Sequence, residues 1–164
     1  MHDNGTIIPC WTADYKTFNF KKQPVTQEEI AVWQSMGYYQ ANYTGNTYDN
    51  RNPMPEWVNT VGNQFPDLKD KTYTLYRMDT LEIMPPHIDH FNRYRELFCK
   101  DKTKIRRVVV FLEDWSPGHY FEIDKRGVVN WKAGQWSMWS PETEHAASNI
   151  GVEPRYTLQI TGHV

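Results

Sequence analysis

The chain has 164 residues, enough for one domain that buries its own core without disulfides or a structural metal. A formal net charge of −2 excludes a strong general attraction to nucleic acid or acidic lipid, and no apolar run reaches the ~18 residues of a membrane span. Aromatic residues make up 15% of the chain, with 7 Trp and 10 Tyr, a composition that favours strands and lined pockets.

Met1-His2-Asp3-Asn4-Gly5 lacks the basic-then-apolar pattern of a secretory leader. Cys10 and Cys99 have no metal-ligand spacing and read as two reduced thiols, so a cytoplasmic protein is expected. Thr26-Gln27-Glu28-Glu29 is a capping box before Ile30, Ala31, Val32, Trp33 and Met36, and Gly37 ends the helix it predicts. Tyr43 to Pro53 is polar and reads as a long loop, either a lid or a static connection. A second short helix is expected from Pro55 to about Asn63, closed by Pro66.

Residues 71–164 read as eight short strands: Thr72 to Met78, Leu81 to His87, Arg107 to Leu112, His119 to Ile123, Val128 to Trp131, Gln135 to Trp139, His145 to Ile150 and Arg155 to Thr161. Turn signals separate most of them, including Ser116-Pro117-Gly118, Lys125-Arg126-Gly127 and Gly151-Val152-Glu153-Pro154. Many short strands punctuated in this way predict a β-rich α+β chain with a sandwich or jelly-roll core over 71–164. The mixed, partly helical residues 1–70 would pack on one sheet, making a single domain over 1–164. The run Lys100, Lys102, Lys104, Arg106 and Arg107 is locally basic and reads as a solvated loop leading into a strand.

The chemistry is carried by His87-Ile88-Asp89, by His145 56 residues after Asp89, and by Arg155 ten residues later. Two imidazoles and one carboxylate can hold one face of an iron(II) ion and leave the other open. Residues two apart on a strand share a face, so a strand running through His87 and Asp89 would aim both at one point. With Gly151-Val152-Glu153 as a hairpin loop, Asn149 would oppose Arg155, and His145 and Arg155 would point into one cavity, about 13 Å apart along the strand. Arginine suits the far end because its planar fork grips a carboxylate and stays charged at neutral pH. Alternation in Arg155-Tyr156-Thr157-Leu158-Gln159-Ile160-Thr161 predicts a polar cavity face and an apolar buried face. His90, one residue off the His87 and Asp89 parity, reads as a supporting or solvated residue.

H-x-D…H followed by R-x-T on a run of short strands resembles the 2-oxoglutarate- and iron(II)-dependent oxygenases over roughly residues 72–162. The resemblance implies a double-stranded β-helix, a jelly-roll variant. It implies His87, Asp89 and His145 as iron ligands, Arg155 as partner of the distal carboxylate of 2-oxoglutarate, and Thr157 as its companion. Tyr76 and Asn149 lie where side chains could reach the same cosubstrate. Arg107 and Trp139 are candidates to touch substrate, while Trp115, Trp131 and Trp136 read as core.

Within the family, the look is that of small amino-acid or peptidyl hydroxylases of the prolyl or aspartyl/asparaginyl kind. Asp89 departs from the aspartyl type, which lacks the ligand carboxylate, and Met84 stands where prolyl hydroxylases often carry a second tyrosine. The implied reaction consumes O2 and 2-oxoglutarate, releases succinate and CO2, and places one oxygen atom in an unactivated C–H bond of a small molecule or peptidyl substrate. A cupin-type metal-dependent isomerase or a small-ligand-binding jelly roll is the alternative. His145-Ala146-Ala147-Ser148-Asn149 matches the end of one cupin motif, but Pro141-Glu142-Thr143 breaks the Pro-x-Gly before it.

Overall fold

A computed structural model describes residues 2–39 and 42–164. In chain order the elements are β1 (His2–Thr6), β2 (Lys21–Lys22), α1 (Gln27–Ser35), β3 (Asn42–Tyr43), β4 (Asn46–Asp49) and α2 (Glu56–Gly62). Next come β5 (Lys69–Met78), β6 (Glu82–His87), α3 (Asn92–Leu97), β7 (Ile105–Phe111), β8 (His119–Ile123) and β9 (Arg126–Val128). The chain ends with β10 (Gln135–Trp139), β11 (His145–Asn149) and β12 (Arg155–His163). The larger sheet runs β1-β10-β7-β12-β5-β4-β2 and the smaller β3-β6-β11-β8-β9. Strands adjacent in sequence often lie in opposite sheets, as expected of a jelly roll.

Alternation along β12 explains why there are two cores. Tyr156, Leu158 and Ile160 project to the outer face of the larger sheet and meet Trp57, Val58 and Val61 of α2. Each such side chain contributes roughly 1.5–3 kcal/mol on burial. The opposite face carries Arg155, Thr157 and Gln159 and looks toward the smaller sheet. Between the sheets lies a second, aromatic core of Phe111, Phe121, Trp131 and Trp139 with Met78 and Ile123. A helix packed on one sheet, as expected, describes α2. By contrast, α1 buries only Trp33, which meets Tyr43 and the edge of His87 beside the smaller sheet.

The capping box of α1 forms in full, with Thr26 and Glu29 bonding reciprocally and Gly37 following at φ +104°. Three expectations are corrected. Tyr43 to Pro53 is not a free loop: β4 pairs with both β2 and β5, and Thr44 and Asn46 are buried. The strand expected at Val128 to Trp131 begins at Arg126, because the turn before it is Asp124-Lys125, both at positive φ (50° and 61°). That is the two-residue turn whose twist suits a hairpin. Third, β11 and β12 do not form a hairpin, since β11 pairs with β6 and β8 while β12 pairs with β5 and β7. The segment from Gly151 to Pro154 is a corner between the sheets.

Candidate metal centre

β6 ends at His87 and β11 begins at His145, and the two residues face each other in register. Their rings lie 4.2 Å apart, centroid to centroid. Asp89 stands two residues beyond the strand end, yet its carboxylate turns back to the pair. Its Oδ1 is 4.0 Å from His87 Nε2 and its Oδ2 is 3.8 Å from His145 Nε2. One ligand atom from each residue lies within 4.8 Å of the other two, and this is the His/Asp/Glu/Cys cluster of metal-binding shape among the described residues. Atoms bonded to one ion at about 2.1 Å are separated by at most about 4.2 Å, so the set fits an ion with little movement.

The imidazoles are oriented from behind. His87 Nδ1 donates to Pro85 O at 2.8 Å and His145 Nδ1 to Thr143 O at 3.1 Å. A proton held on each Nδ1 leaves the Nε2 lone pair facing the shared point, as metal-ligating histidines require. Burial pushes the His145 pKa down to about 4 despite the opposing pull of Asp89, so the ring is neutral and ready to ligate. For Asp89, burial would raise the pKa, but Arg107 and the two imidazoles outweigh it and hold the carboxyl at about 2. Trp139 backs the centre, its ring 4.7 Å from that of His145.

From this cluster a cavity runs between the sheets. Most of its polar lining beyond the cluster comes from the larger sheet, with Tyr76 on β5, Arg107 on β7, and Arg155, Thr157 and Gln159 on β12, and Gln23, just after β2, adds one more polar side chain. Met84, Val109, Phe121 and Trp139 form the apolar walls. Arg155 is 4% exposed. Its Nη1 donates to Tyr120 O at 2.8 Å, its guanidinium lies 5.8 Å from the Phe121 ring centre, and its Nε has no partner among the described residues. It forms no salt bridge among the described residues. Burial lowers its pKa to about 10, so it stays a cation at neutral pH. A desolvated cation without a counterion is costly unless a ligand supplies the anion. Tyr76 points its hydroxyl to the same region. That hydroxyl accepts the Gly45 amide at 2.6 Å, which leaves its own proton free to donate.

The structure thus gathers His87, Asp89, His145, Arg155, Thr157, Tyr76, Arg107 and Trp139 around one cavity. His145 and Arg155 reach it from opposite sheets, not from one hairpin face. Asn149 is not among them. Its amide is fully buried, donating to Met78 O and Glu153 O and accepting from Gly151 N, so it fastens the corner between the sheets and does not line the cavity. His90 is exposed. Sequence reasoning missed Phe121, Gln23 and Gly45. Phe121 alone carried a signal, being on the inward parity of β8.

No protein-family profile matches the chain, and no curated protein is significantly similar in sequence. Solved structures are similar in fold. A Pseudomonas putida prolyl-4-hydroxylase superposes with a TM-score of 0.53 at 15% identity, covering 92% of this chain and 95% of that one. A cupin protein from Bacteroides fragilis gives 0.45 at 12% identity over 90% and 87% of the two chains. An uncharacterized Klebsiella pneumoniae protein with a double-stranded β-helix domain gives 0.41 at 13% identity over 59% and 70%. At such identities the likeness concerns architecture alone: the chain has a double-stranded β-helix fold.

Proposed function

We propose that this chain is a 2-oxoglutarate- and Fe(II)-dependent oxygenase that hydroxylates an unactivated C–H bond of an amino acid or peptidyl residue, of the prolyl or aspartyl/asparaginyl type. The observation that carries this reading is a buried guanidinium with no salt bridge to a carboxylate among the described residues, in the same cavity as a His-Asp-His cluster. A metal site alone would serve a cupin-type isomerase or a ligand-binding jelly roll equally well. An unneutralised cation further along the cavity asks for an anionic ligand, and a diacid that also reaches the ion answers both needs.

His87 Nε2, His145 Nε2 and an Asp89 oxygen would hold the ion. Bound iron with O2 and 2-oxoglutarate supplies the oxidising power, with succinate and CO2 as the cosubstrate's products. The chain's own part is to bind, orient and keep water out. Arg155 would pair with the distal carboxylate, its free Nε offering a donor there. The Tyr76 hydroxyl would donate to the same group, with Thr157 beside it. Phe121, Val109 and Trp139 surround the cavity with apolar surface, which strengthens charge-assisted bonds inside it.

The test is the melting temperature of the full chain with Zn(II), a redox-inert stand-in, with and without 2-oxoglutarate. The diacid is expected to add a saturable rise that needs the metal. His145→Ala should abolish metal binding and Arg155→Met the response to the diacid. A chain that binds Zn(II) but is indifferent to 2-oxoglutarate would belong with the cupin-type alternative, and the oxygenase reading would be lost.

A further inference from the structure

Resting on the oxygenase reading, we propose that the substrate carries a carboxylate and that Arg107 receives it. Arg107 stands on β7 and lines the cavity beside the metal cluster. Two of its three nitrogens are engaged: Nε donates to Asp89 Oδ2 at 3.1 Å and Nη1 to Thr161 Oγ1 at 2.7 Å. Phe91, in the left-handed region at φ 54°, lays its ring 5.0 Å from the guanidinium carbon and covers one face. Nη2 remains. It has no partner among the described residues and is not sealed from solvent, and the side chain keeps 18% of its exposure. Thus the guanidinium is held rigidly on two sides and presents one donor edge.

The Asp89 contact decides what that edge is for. In the metal-free chain the Asp89 carboxylate neutralises Arg107. Once that carboxylate ligates a divalent ion, the ion's charge dominates its surroundings and the guanidinium loses most of this compensation. A divalent ion, Asp89 and a dicarboxylate together carry one net negative charge, and Arg155 and Arg107 add two positive ones. The loaded cavity therefore carries one excess positive charge, and the donor that faces open space is Arg107 Nη2. A neutral substrate would leave that charge unmatched; a carboxylate matches it with charge-assisted bonds.

Room for the rest of the molecule exists. A second hollow, lined by Pro24, Trp33 and His90 among others, shares Gln23, Met84, His87 and Asp89 with the first. A substrate anchored on Arg107 and extending there would pass beside the ion.

The experiment uses the full chain loaded with Zn(II) and 2-oxoglutarate and reads the further rise in melting temperature. The probes are the twenty free L-amino acids and blocked tripeptides with a central Asp or Glu, each paired with its carboxamide. At least one carboxylate is expected to protect saturably, with its carboxamide weaker by about 10- to 100-fold. Protection by free amino acids alone identifies a free acid as the source; protection by the tripeptides identifies a side-chain carboxylate. Arg107→Gln is expected to erase the preference for carboxylate over carboxamide, and the wild-type pairs decide the matter even if that variant loads zinc poorly. The proposal is overturned if carboxamides protect as well as their acids, or if no carboxylate protects. If 2-oxoglutarate itself gives no shift with Zn(II), the oxygenase reading has failed first, and the two failures are distinguishable.

Discussion

Arg155 shows how a single side chain here trades stability for binding. A guanidinium sealed from water without an anion destabilises the empty chain, so Arg155→Met is expected to make the metal-free protein more stable by about 1 kcal/mol while removing the response to 2-oxoglutarate. Chemical denaturation and diacid titration of the same variant check both halves. The gain is small because Tyr120 O loses its donor. At this scale the sequence was highly legible. Parity along β12 placed Arg155, Thr157 and Gln159 on the cavity face and Tyr156, Leu158 and Ile160 in the core. Asn149 misled because an amide two residues before Gly151 can equally be a corner clamp, and only the fold reveals which backbone groups surround it.

Elements were legible where their signals are local. The capping box of α1 and the proline-led start of α2 depend on neighbours within one turn and appear as read. β1 was missed because His2-Asp3-Asn4-Gly5-Thr6 has no apolar alternation; it is held by pairing with β10, where Gly5 lies against the Trp136 ring. The supposed β11–β12 hairpin failed for a related reason: a short turn says that the chain reverses, not whether it stays in the same sheet. Two element-scale outcomes follow. The Asp124-Lys125 turn holds two non-glycine residues at positive φ, so Lys125→Gly is expected to stabilise the chain by about 0.5–1 kcal/mol, read as a higher denaturant midpoint. Between β3 and β4, a Cβ on Gly45 would sit 2.6 Å from Arg77 O and 2.8 Å from the Tyr76 ring. Gly45→Ala should therefore displace the Tyr76 hydroxyl and weaken 2-oxoglutarate binding at least several-fold in calorimetric titration.

Across the whole molecule, buried titratable groups tie folding to pH. His145 has a pKa of about 4 in the folded chain against 6.5 in a free side chain. Between those values the unfolded chain takes up a proton that the folded chain refuses, so this contribution is full above pH 6.5 and is lost as pH falls toward 4. Its size is about 3 kcal/mol for the metal-free protein. Burial depresses His119 in the same direction. Asp89, held at about 2, adds a loss that begins only below about pH 4. The melting temperature of the metal-free chain is expected to drop between pH 6.5 and 4, and His145→Gln should flatten that limb. The division of labour between the layers has a mechanical consequence as well. Every candidate metal ligand stands on or beside the smaller sheet, whereas Arg155, Thr157 and Tyr76 stand on the larger one. A diacid joined to the ion would act as a rivet through both layers, damping their breathing. Amide exchange should then slow on β11 and β12 together, and neither rivet half alone should achieve it.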